Sequence, residues 1–493
     1  MTPRESELKL AFAPGRLERV RATSMLPRLG PGQVLHAVYF DTKGRALAGA
    51  GFTLRVRAEA GRFVQTLKTR AAPGGVMGVR GEWSWEVPGL APEPTWLAAT
   101  PAGLAWDGAP LMQVFETRVV RESGVATPKP GSRVMVALDY GEITAATGRW
   151  PIAELELELA AGSEAALLDL AASLCAERDL RLEPESKPDR GWRLALGEMP
   201  APSALVMPTL SPGISVADGL AEMLRAGLGL LVGNWAAARV GVPEGVHQMR
   251  VATRWLRAAL ALFGPLLDGT TTAPLMAGLR DLGRALGVAR DWDVFCGVSV
   301  AAGLAAAEHE AVRAALLATA ETRRGAARAA VAARLEAGAT TRLALHLARL
   351  AEAPGLMRGR LEDLAPELLS RRFRKFLRAA SDLPDLTPTL RHEARKALKK
   401  FIYGASFVAG LGLPGVPRNF LRDCRRLQHA LGVANDRTRA SALAMDLAGE
   451  AGPGAHLLAA WARADEAAVM AEITEGWKRV RRQGKPLKRL LSG

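Results

Sequence analysis

The feature that most constrains the fold of this chain is a change in the period of its hydrophobic pattern. Up to about residue 200, apolar and polar residues alternate, as in FTLRVRAEAGRFVQTLK (52–68) and IAELELELA (152–160). This period of two is typical of half-buried strands. From about residue 215 onward, apolar residues recur at helical spacing within long segments rich in Ala, Leu and Arg. The chain therefore changes from a β-rich to an all-helical region.

The segment between the two patterns, EMPAPSALVMPTLSPGIS (198–215), has four prolines and few charges, which is typical of an interdomain linker. We predict a multi-domain α+β fold. It comprises a β-rich domain over residues 1–200, a linker over 201–214 and an all-α domain over 215–493.

Composition and cysteine usage indicate the compartment. Hydrophobic residues make up 49% of the chain and charged residues 23%, as in ordinary globular proteins. We find no run of 18 or more uncharged apolar residues, and the start, MTPRESELK, does not resemble a secretory signal. Cys175, Cys296 and Cys424 lie far apart and lack metal-ligand spacing. We expect a cytoplasmic protein without a membrane partner.

The net charge of +15 is unevenly distributed. Residues 1–200 contain 24 Lys+Arg and 24 Asp+Glu, so the remainder holds 41 basic (65 − 24) and 26 acidic (50 − 24) residues. The whole excess therefore lies in the helical region. Such asymmetry predicts a polyanionic partner for that region, whether polyphosphate, nucleic acid or an acidic membrane.

The polar faces of the predicted strands are unusually rich in charge. They carry Glu5, Glu7, Lys9, Arg55, Arg57, Lys68, Arg80, Glu82, Asp139, Glu154, Glu156 and Glu158. The opposite faces are strongly apolar and need a covering layer. If the sheet curls with its charged faces inward, it encloses a polar tunnel and packs its apolar faces on helices. From spacing alone, a sheet with its polar face in water explains the pattern equally well.

A charged interior would restrict the chemistry. Neighbouring carboxylates raise each other's pKa unless a cation lies between them, and Mg²⁺ or Mn²⁺ suits an all-oxygen site. Arg and Lys on adjacent strands match the oxygens of a condensed phosphate. The implied reaction is metal-assisted phosphoryl transfer to water.

The sequence resembles the CYTH family, the triphosphate tunnel metalloenzymes. ESELK (5–9) fits the ExExK signature, and further blocks follow in the family's order: YFDT (39–42), LRVR (54–57), QTLK (65–68), RGEWSWEV (80–87), FETRVVR (115–121), ALDYG (137–141), ELELEL (154–159) and SKPDRG (186–191). The resemblance implies an eight-stranded antiparallel β tunnel with flanking helices. It also implies a tunnel that acts on a triphosphate with one or two divalent metal ions.

The family's functional residues transfer by position. Metal ligands would be Glu5, Glu7, Asp139, Glu154, Glu156 and Glu158, and substrate contacts would be Arg55, Arg57, Lys68, Arg80 and Arg118. Lys9 and Lys187 resemble lysines that contact the substrate or assist its hydrolysis. Arg121 aligns as an alternative to Arg118 and is left out of the predicted set.

The helical region contains a duplicated basic stripe. His247, Arg250, Arg254 and Arg257 span about 80° of one helix face. His392, Arg395 and Lys399 repeat the first three at a constant offset of 145 residues. RALGVARD (284–291) and HALGVAND (429–436) match at the same offset. Two matches in one register indicate a duplicated helical unit.

The stripe needs a counter-charge, and like charges at i,i+4 destabilise a bare helix. An external anion is therefore more plausible than a solvated face for two copies that share a groove. The region 215–490 resembles the CHAD domain, which implies two four-helix-type bundles (about 215–350 and 360–490) and a basic groove for inorganic polyphosphate. The predicted polyphosphate contacts are His247, Arg250, Arg254, Arg257, His392, Arg395, Lys396, Lys399 and Arg425.

We therefore predict a metal-dependent triphosphatase that hydrolyses inorganic triphosphate or another linear triphosphate, joined to a polyphosphate-binding domain and associated with polyphosphate granules. Two alternatives stay open: a non-catalytic polyphosphate-binding protein, and a nucleotide triphosphatase or cyclase of the same tunnel fold. Nucleic acid is disfavoured, because the stripes lack interleaved aromatics and a recognition-helix signature.

Overall fold

The computed structural model describes residues 6–69, 81–352, 358–411 and 418–484. Two predicted site residues, Glu5 and Arg80, lie outside these ranges. Within them, the N-terminal part is an antiparallel sheet with helices and the C-terminal part is helical. The predicted fold class is therefore confirmed.

The sheet is formed by strands that run antiparallel to their neighbours, in the order β5-β4-β3-β2-β6-β7-β8-β1-β9. The strands are β1 (Glu7–Ala11), β2 (Gln33–Thr42), β3 (Phe52–Glu59), β4 (Arg62–Thr69), β5 (Glu82–Val87), β6 (Leu111–Ala126), β7 (Arg133–Ala145), β8 (Gly148–Ala161) and β9 (Arg181–Leu182). In the described ranges the number of strands exceeds the predicted eight by β9, which is too short to show an alternating pattern. Across the described residues the ladder is open, with β5 and β9 at its edges.

The strand register places the predicted charged residues on one face. In an antiparallel ladder, directly paired residues point to the same side. The pairs Lys9–Glu156, Asp139–Glu154 and Arg121–Asp139 join four strands in this way. We define the charged face by the residues Glu7, Lys9, Arg55, Arg57, Lys68, Glu82, Arg121, Asp139, Glu154, Glu156 and Glu158.

The opposite face of the sheet is apolar and is covered by helices. Leu54, Val56 and Leu67 are fully buried and pack with Leu47 and Leu97 of two short helices. Burying these side chains stabilises the sheet by roughly 25 cal/mol per Å² of apolar surface. The charged side chains must therefore leave from the other face.

The helices within and after the sheet region have the following bounds. They are α1 (Leu17–Arg21), α2 (Ala46–Gly49), α3 (Thr95–Ala98), α4 (Glu164–Arg178), α5 (Lys187–Leu196), α6 (Val216–Gly233), α7 (Trp235–Arg239), α8 (Pro243–Phe263), α9 (Gly269–Val294), α10 (Val300–Gly303), α11 (Glu310–Glu336), α12 (Gly338–Glu352), α13 (Leu361–Ala379), α14 (Pro388–Phe407), α15 (Arg418–Asp446), α16 (Ala448–Ala451), α17 (Pro453–Ala464) and α18 (Glu466–Gln483). In the part of the chain that the structure describes, none of them is long and apolar enough to cross a membrane.

The chain packs as two compact units. The first contains residues 1–204, 228–245 and 333–352, and the second contains residues 205–227, 246–332 and 353–493. In the first unit α12 packs along α4, and the Gly338 amide donates a 2.7 Å hydrogen bond to Asp179 Oδ1. Two helical segments thus pack with the sheet, although the predicted boundary is drawn by sequence order alone.

The second unit shows the duplication directly. The starts of α6 and α13 (361 − 216) and of α8 and α14 (388 − 243) are each 145 residues apart. The aromatic core of this unit joins the copies, since Trp255 of α8 contacts Phe407 of α14 with ring centroids 4.2 Å apart. The duplication that the sequence offset indicated is therefore present as repeated helices.

Candidate functional site

Three carboxylates converge on the charged face. Asp139 of β7 and Glu154 and Glu156 of β8 each offer an oxygen, and these oxygens lie within 4.8 Å of one another. We call these residues the acidic cluster. Asp139 and Glu154 are 0% exposed. Buried carboxylates at this density require compensating cations.

Lys187 supplies the central compensating charge. It is the first residue of α5, whose start is fixed by a capping box between Ser186 and Asp189. Its Nζ lies 2.7 Å from Asp139 Oδ2, 2.5 Å from Glu154 Oε1 and 2.7 Å from Glu156 Oε1. One ammonium therefore donates to all three members of the acidic cluster.

Two arginines complete the charge balance. Arg121 of β6 donates from Nε to Asp139 Oδ1 at 2.7 Å and also contacts Glu156. Arg190 of α5 donates from Nη2 to Glu154 Oε2 at 2.6 Å. Three carboxylates thus face three basic side chains. Charge-assisted hydrogen bonds of this kind are roughly twice as strong as neutral ones.

These cations keep the carboxylates ionised. Burial would raise the pKa of Glu154, but Arg190 and Lys187 together lower it to about 2. Burial likewise opposes ionisation of Glu156, yet Lys187, Arg121 and Lys9 hold its pKa well below its usual range. Both groups are therefore anionic near neutral pH, which is the charge state that a metal ligand needs.

The rest of the charged face is cationic. Arg57 forms an ion pair with Glu59 at 2.6 Å, and Lys68 pairs with Glu82 at 2.5 Å. Among the described residues, the Nε atoms of Arg55 and Arg57 are buried without an acceptor. Burial and the adjacent Arg55 lower the pKa of Arg57. The Nε–H groups of these two guanidinium groups therefore lack acceptors, and a phosphate would supply them.

Arg118 requires a correction. It was predicted to contact the substrate, but it pairs in register with Glu142 on the opposite face of β6, and its side chain is 64% exposed beside Glu116. Arg121, three residues further on, occupies the position among the carboxylates. An odd spacing on a strand places two residues on opposite faces, so only one of the two can reach the charged face.

Some predicted residues lie on the charged face but outside the acidic cluster. Glu7 and Glu158 face each other across the β1–β8 ladder, outside the acidic cluster, and Lys9 Nζ lies 3.4 Å from Glu7 Oε1. Arg190 was not predicted, although it follows Lys187 by three residues in SKPDRG and so lies on the same side of α5. That spacing was the available signal.

The acidic cluster fits a hard divalent cation. Its donor atoms are carboxylate oxygens, which Mg²⁺ and Mn²⁺ prefer. The oxygens lie close enough to share one ion. Asp139, Glu154 and Glu156 are thus the described residues that would hold the metal.

A second site lies in the helical unit. Arg250 and Arg254 of α8 interact electrostatically with Arg395 and Lys399 of α14. We call these four residues the basic cluster. Burial, followed by Arg254, Arg395 and Arg250, lowers the pKa of Lys399 to about 7. Burial and the nearby Arg250 lower the pKa of Arg254 to about 10. Burial together with mutual repulsion disfavours these charges, and a bound anion would offset the repulsion.

Glycines in the duplicated ALGVA segments make room for this cluster. A Cβ at Gly287 of α9 would overlap Nη1 of Arg250, so the missing side chain lets the guanidinium lie against the helix. At the equivalent Gly432 of α15, the nearest atom to such a Cβ would be Arg395 Nη2, at 3.6 Å. The repeated sequence therefore positions the repeated arginines.

The remaining residues predicted to contact polyphosphate differ in their exposure and in their partners. Burial and Arg280 lower the pKa of Arg257, and His392 Nδ1 lies 2.5 Å from Asn435 Oδ1. Lys396 is exposed and pairs with Glu393 at 2.7 Å, and the exposed Arg425 lies 3.4 Å from Ser406 Oγ. His247 lies on α8, three residues before Arg250.

Fold and site together define a two-part protein: a charged antiparallel sheet carrying a carboxylate cluster, and a duplicated helical unit carrying a basic cluster. Family comparison agrees with both parts. A CYTH domain matches residues 3–192 and a CHAD domain matches residues 222–444. The chain is thus a CYTH domain followed by a CHAD domain.

Solved structures show similar regions. The CHAD domain from the plant Ricinus communis is 27% identical, covers 56% of this chain and 96% of its own, and superposes with a TM-score of 0.50. PptA from Streptomyces chartreusis is 18% identical, with coverage of 55% and 99% and a TM-score of 0.43. A putative adenylyl cyclase from Hippeastrum, described as having a dominant triphosphatase activity, is 18% identical, with coverage of 40% and 97% and a TM-score of 0.31.

Proposed function

We propose that the charged face hydrolyses a linear triphosphate, inorganic triphosphate first, with a bound divalent cation, and that the helical unit binds polyphosphate. The observation that carries the catalytic part is the position of the acidic cluster beside Arg55, Arg57 and Arg121 on one face of one sheet. Membership of the CYTH family supports the same reaction class.

The basic residues of the charged face would bind the phosphate, and the carboxylates would bind the metal ion. Arg55 and Arg57 lie on β3 and have buried Nε–H groups without acceptors, so they favour the oxygens of an incoming phosphate. Arg121 lies between these arginines and the carboxylates. When bound, Mg²⁺ or Mn²⁺ would neutralise phosphate charge and activate a water molecule. Lys187 and Arg190 hold the acidic cluster ionised and in place.

The helical unit supplies a polyanion site. The basic cluster combines four basic residues from two helices, and the repulsion that, after burial, lowers the pKa of Lys399 is relieved when a phosphate chain enters. Binding there would keep the enzyme on polyphosphate and place it on polyphosphate granules. This part of the proposal rests on the geometry of the basic cluster and on the CHAD match.

Phosphate release tests the catalytic part. The full chain is assayed with triphosphate, ATP, thiamine triphosphate and long polyphosphate, with Mg²⁺, with Mn²⁺ and with a chelator. We expect release from triphosphate that needs the metal and falls at least about 100-fold in Glu156→Gln. Release unaffected by this change would refute the assigned site. No release at all would favour the non-catalytic alternative, and cyclic nucleotide formed from ATP would favour a cyclase.

Competition binding tests the helical part. Labelled polyphosphate is bound at fixed salt and displaced with unlabelled polyphosphate or duplex DNA, because both interactions weaken as salt rises. We expect DNA to compete poorly. Neutralising Arg250 and Arg395 together should abolish binding, while Glu156→Gln should not alter it. Equal displacement by DNA would contradict a polyphosphate site.

A further inference from the structure

A cavity of about 360 Å³ lies within the first compact unit, outside the acidic cluster. Part of its wall is apolar and is formed by Phe12, the residue after β1, and by Trp150 in β8. Cavities of about 300–1,000 Å³ with apolar walls and a few polar groups are typical of sites for organic ligands. The proposed hydrolysis does not use this space.

The charged part of the wall is mainly cationic. Arg181, Arg190 and Arg239 line the cavity together with one carboxylate, Glu336. Glu336 forms an ion pair with Arg181 Nε at 3.0 Å and accepts a hydrogen bond from Arg239 Nη1 at 3.1 Å. The side chain of Glu336 is 47% exposed, whereas those of Arg181 and Arg239 are 15% and 16% exposed. The carboxylate can therefore turn to water while both guanidinium groups stay in the wall.

The other partners of these arginines lie behind the wall. Arg181 donates to Glu183 at 2.7 Å, and Arg190 donates to Glu154 at 2.6 Å. These bonds hold two of the guanidinium groups in position. Glu183 and Glu154 are almost completely buried, so they do not compete for space inside the cavity.

Arg190 adds an unsatisfied donor. Its side chain is 2% exposed and lines the cavity, and its Nε is buried without an acceptor among the described residues. A buried donor without an acceptor costs about 1–3 kcal/mol. An anionic oxygen in the cavity would remove that cost.

We propose that this cavity binds a small phosphate monoester that carries a flat aromatic group, of the nucleoside monophosphate class. The phosphate takes the place of Glu336 between Arg181 and Arg239 and accepts from Arg190. The aromatic group packs on the apolar wall formed by Phe12 and Trp150. A bare phosphate would leave that wall uncovered, which is why an aromatic ester is the better match. This site is additional to the triphosphate and polyphosphate sites of the proposed function.

Isothermal titration calorimetry of the full chain with AMP tests the proposal. We expect one AMP per chain and at least about tenfold weaker binding of both ribose 5-phosphate and adenosine. Arg239→Ser should weaken AMP binding by about tenfold or more, since it removes one charged contact. Glu336→Gln should strengthen AMP binding about fivefold, because it removes the competing carboxylate. A misfolded variant cannot produce such a gain.

Two further variants separate this cavity from the other phosphate sites. Arg57→Ser on the charged face and Lys399→Ala in the basic cluster should leave AMP binding within about twofold of the unmodified protein. Absence of AMP binding overturns the proposal. So does binding that Arg57→Ser or Lys399→Ala abolishes while Arg239→Ser and Glu336→Gln leave it unchanged. Equal affinity for AMP and ribose 5-phosphate overturns it as well, since the aromatic wall would then be unused.

Discussion

Lys187 and Asp139 meet at the point where a helix begins beside the middle of a strand, with Lys187 Nζ 2.7 Å from Asp139 Oδ2. The same ammonium donates to Glu154 and Glu156, and Arg121 and Arg190 contact the outer oxygens of the cluster. Three anions and three cations therefore form one balanced network. Because the network is buried, removing any single member leaves a charge without its partner.

Arg121 and Arg118 form a matched pair for testing the charged face. They lie three residues apart on β6 and point to opposite sides of the sheet. We expect Arg121→Ala to lower kcat/KM for triphosphate by about 100-fold or more, because it removes a charged contact from the site. Arg118→Ala should change it by less than about twofold. The measurement is steady-state phosphate release. Equal losses in the two variants would argue against the assigned face.

Arg190 is expected to contribute to stability as well as to the site. Its pair with Glu154 is almost fully buried, and breaking a buried pair from one side costs about 3–5 kcal/mol. We therefore expect Arg190→Leu to lower the free energy of unfolding by that amount in urea titrations. Arg149→Leu is the control, since the Arg149–Glu142 pair is exposed and should contribute about 0–1 kcal/mol. A similar loss in both variants would contradict the assignment.

Lys399 predicts a pH dependence of polyphosphate binding. Its pKa is lowered to about 7 by burial and by Arg254, Arg395 and Arg250, while Asp436 acts in the opposite direction. Above pH 7, Lys399 is mostly neutral in the free site. A bound polyanion stabilises the charged form of Lys399, so binding then requires the uptake of a proton. Affinity should therefore fall by about tenfold between about pH 7 and pH 8.5.

The control is Lys399→Arg, which keeps its charge over this range and should give a flatter profile. Fluorescence anisotropy of labelled polyphosphate measures both profiles at constant salt. Burial and Lys396 lower the pKa of His392, so this histidine titrates below the window. Parallel profiles for the two proteins would show that Lys399 is not the titrating group.

Gly287 predicts a loss of binding without a loss of stability. An alanine there displaces only the end of the Arg250 side chain, while Gly→Ala in a helix gains up to about 1 kcal/mol. We expect Gly287→Ala to keep or raise the thermal midpoint and to weaken polyphosphate binding several-fold. Gly432→Ala is the matched control, because its Cβ has room beside Arg395. Unchanged binding in Gly287→Ala would place Arg250 outside the polyphosphate site.

The fold class and the grouping of most charged site residues on one face could be predicted from the sequence, because both depend on the local period of its hydrophobic pattern. Alternation identifies which strand residues share a face, so the pattern alone is enough to group Lys9, Asp139, Glu154 and Glu156. The duplicated helices are likewise visible as a constant offset. Helix starts in the structure repeat at the same distance of 145 residues, 388 − 243 for α8 and α14.

Register and long-range packing are not encoded in these local patterns. Whether Arg118 or Arg121 reaches the carboxylates depends on how β6 pairs with β7, and both fit the same alternating segment. The inclusion of residues 228–245 and 333–352 in the first unit depends on contacts such as Gly338 to Asp179, which are 159 residues apart. The domain boundaries at 200 and 215 stay a prediction for the same reason.

The basic cluster takes two residues from each copy of the repeat, Arg250 and Arg254 from one and Arg395 and Lys399 from the other. A chain with a single copy would need to form a symmetric homodimer to assemble the same four charges. Joining the copies in one chain turns that encounter into an intramolecular one, with an effective concentration set by the connection. The site then forms at any dilution of the protein. Each copy of the repeat can also acquire substitutions that the other copy lacks.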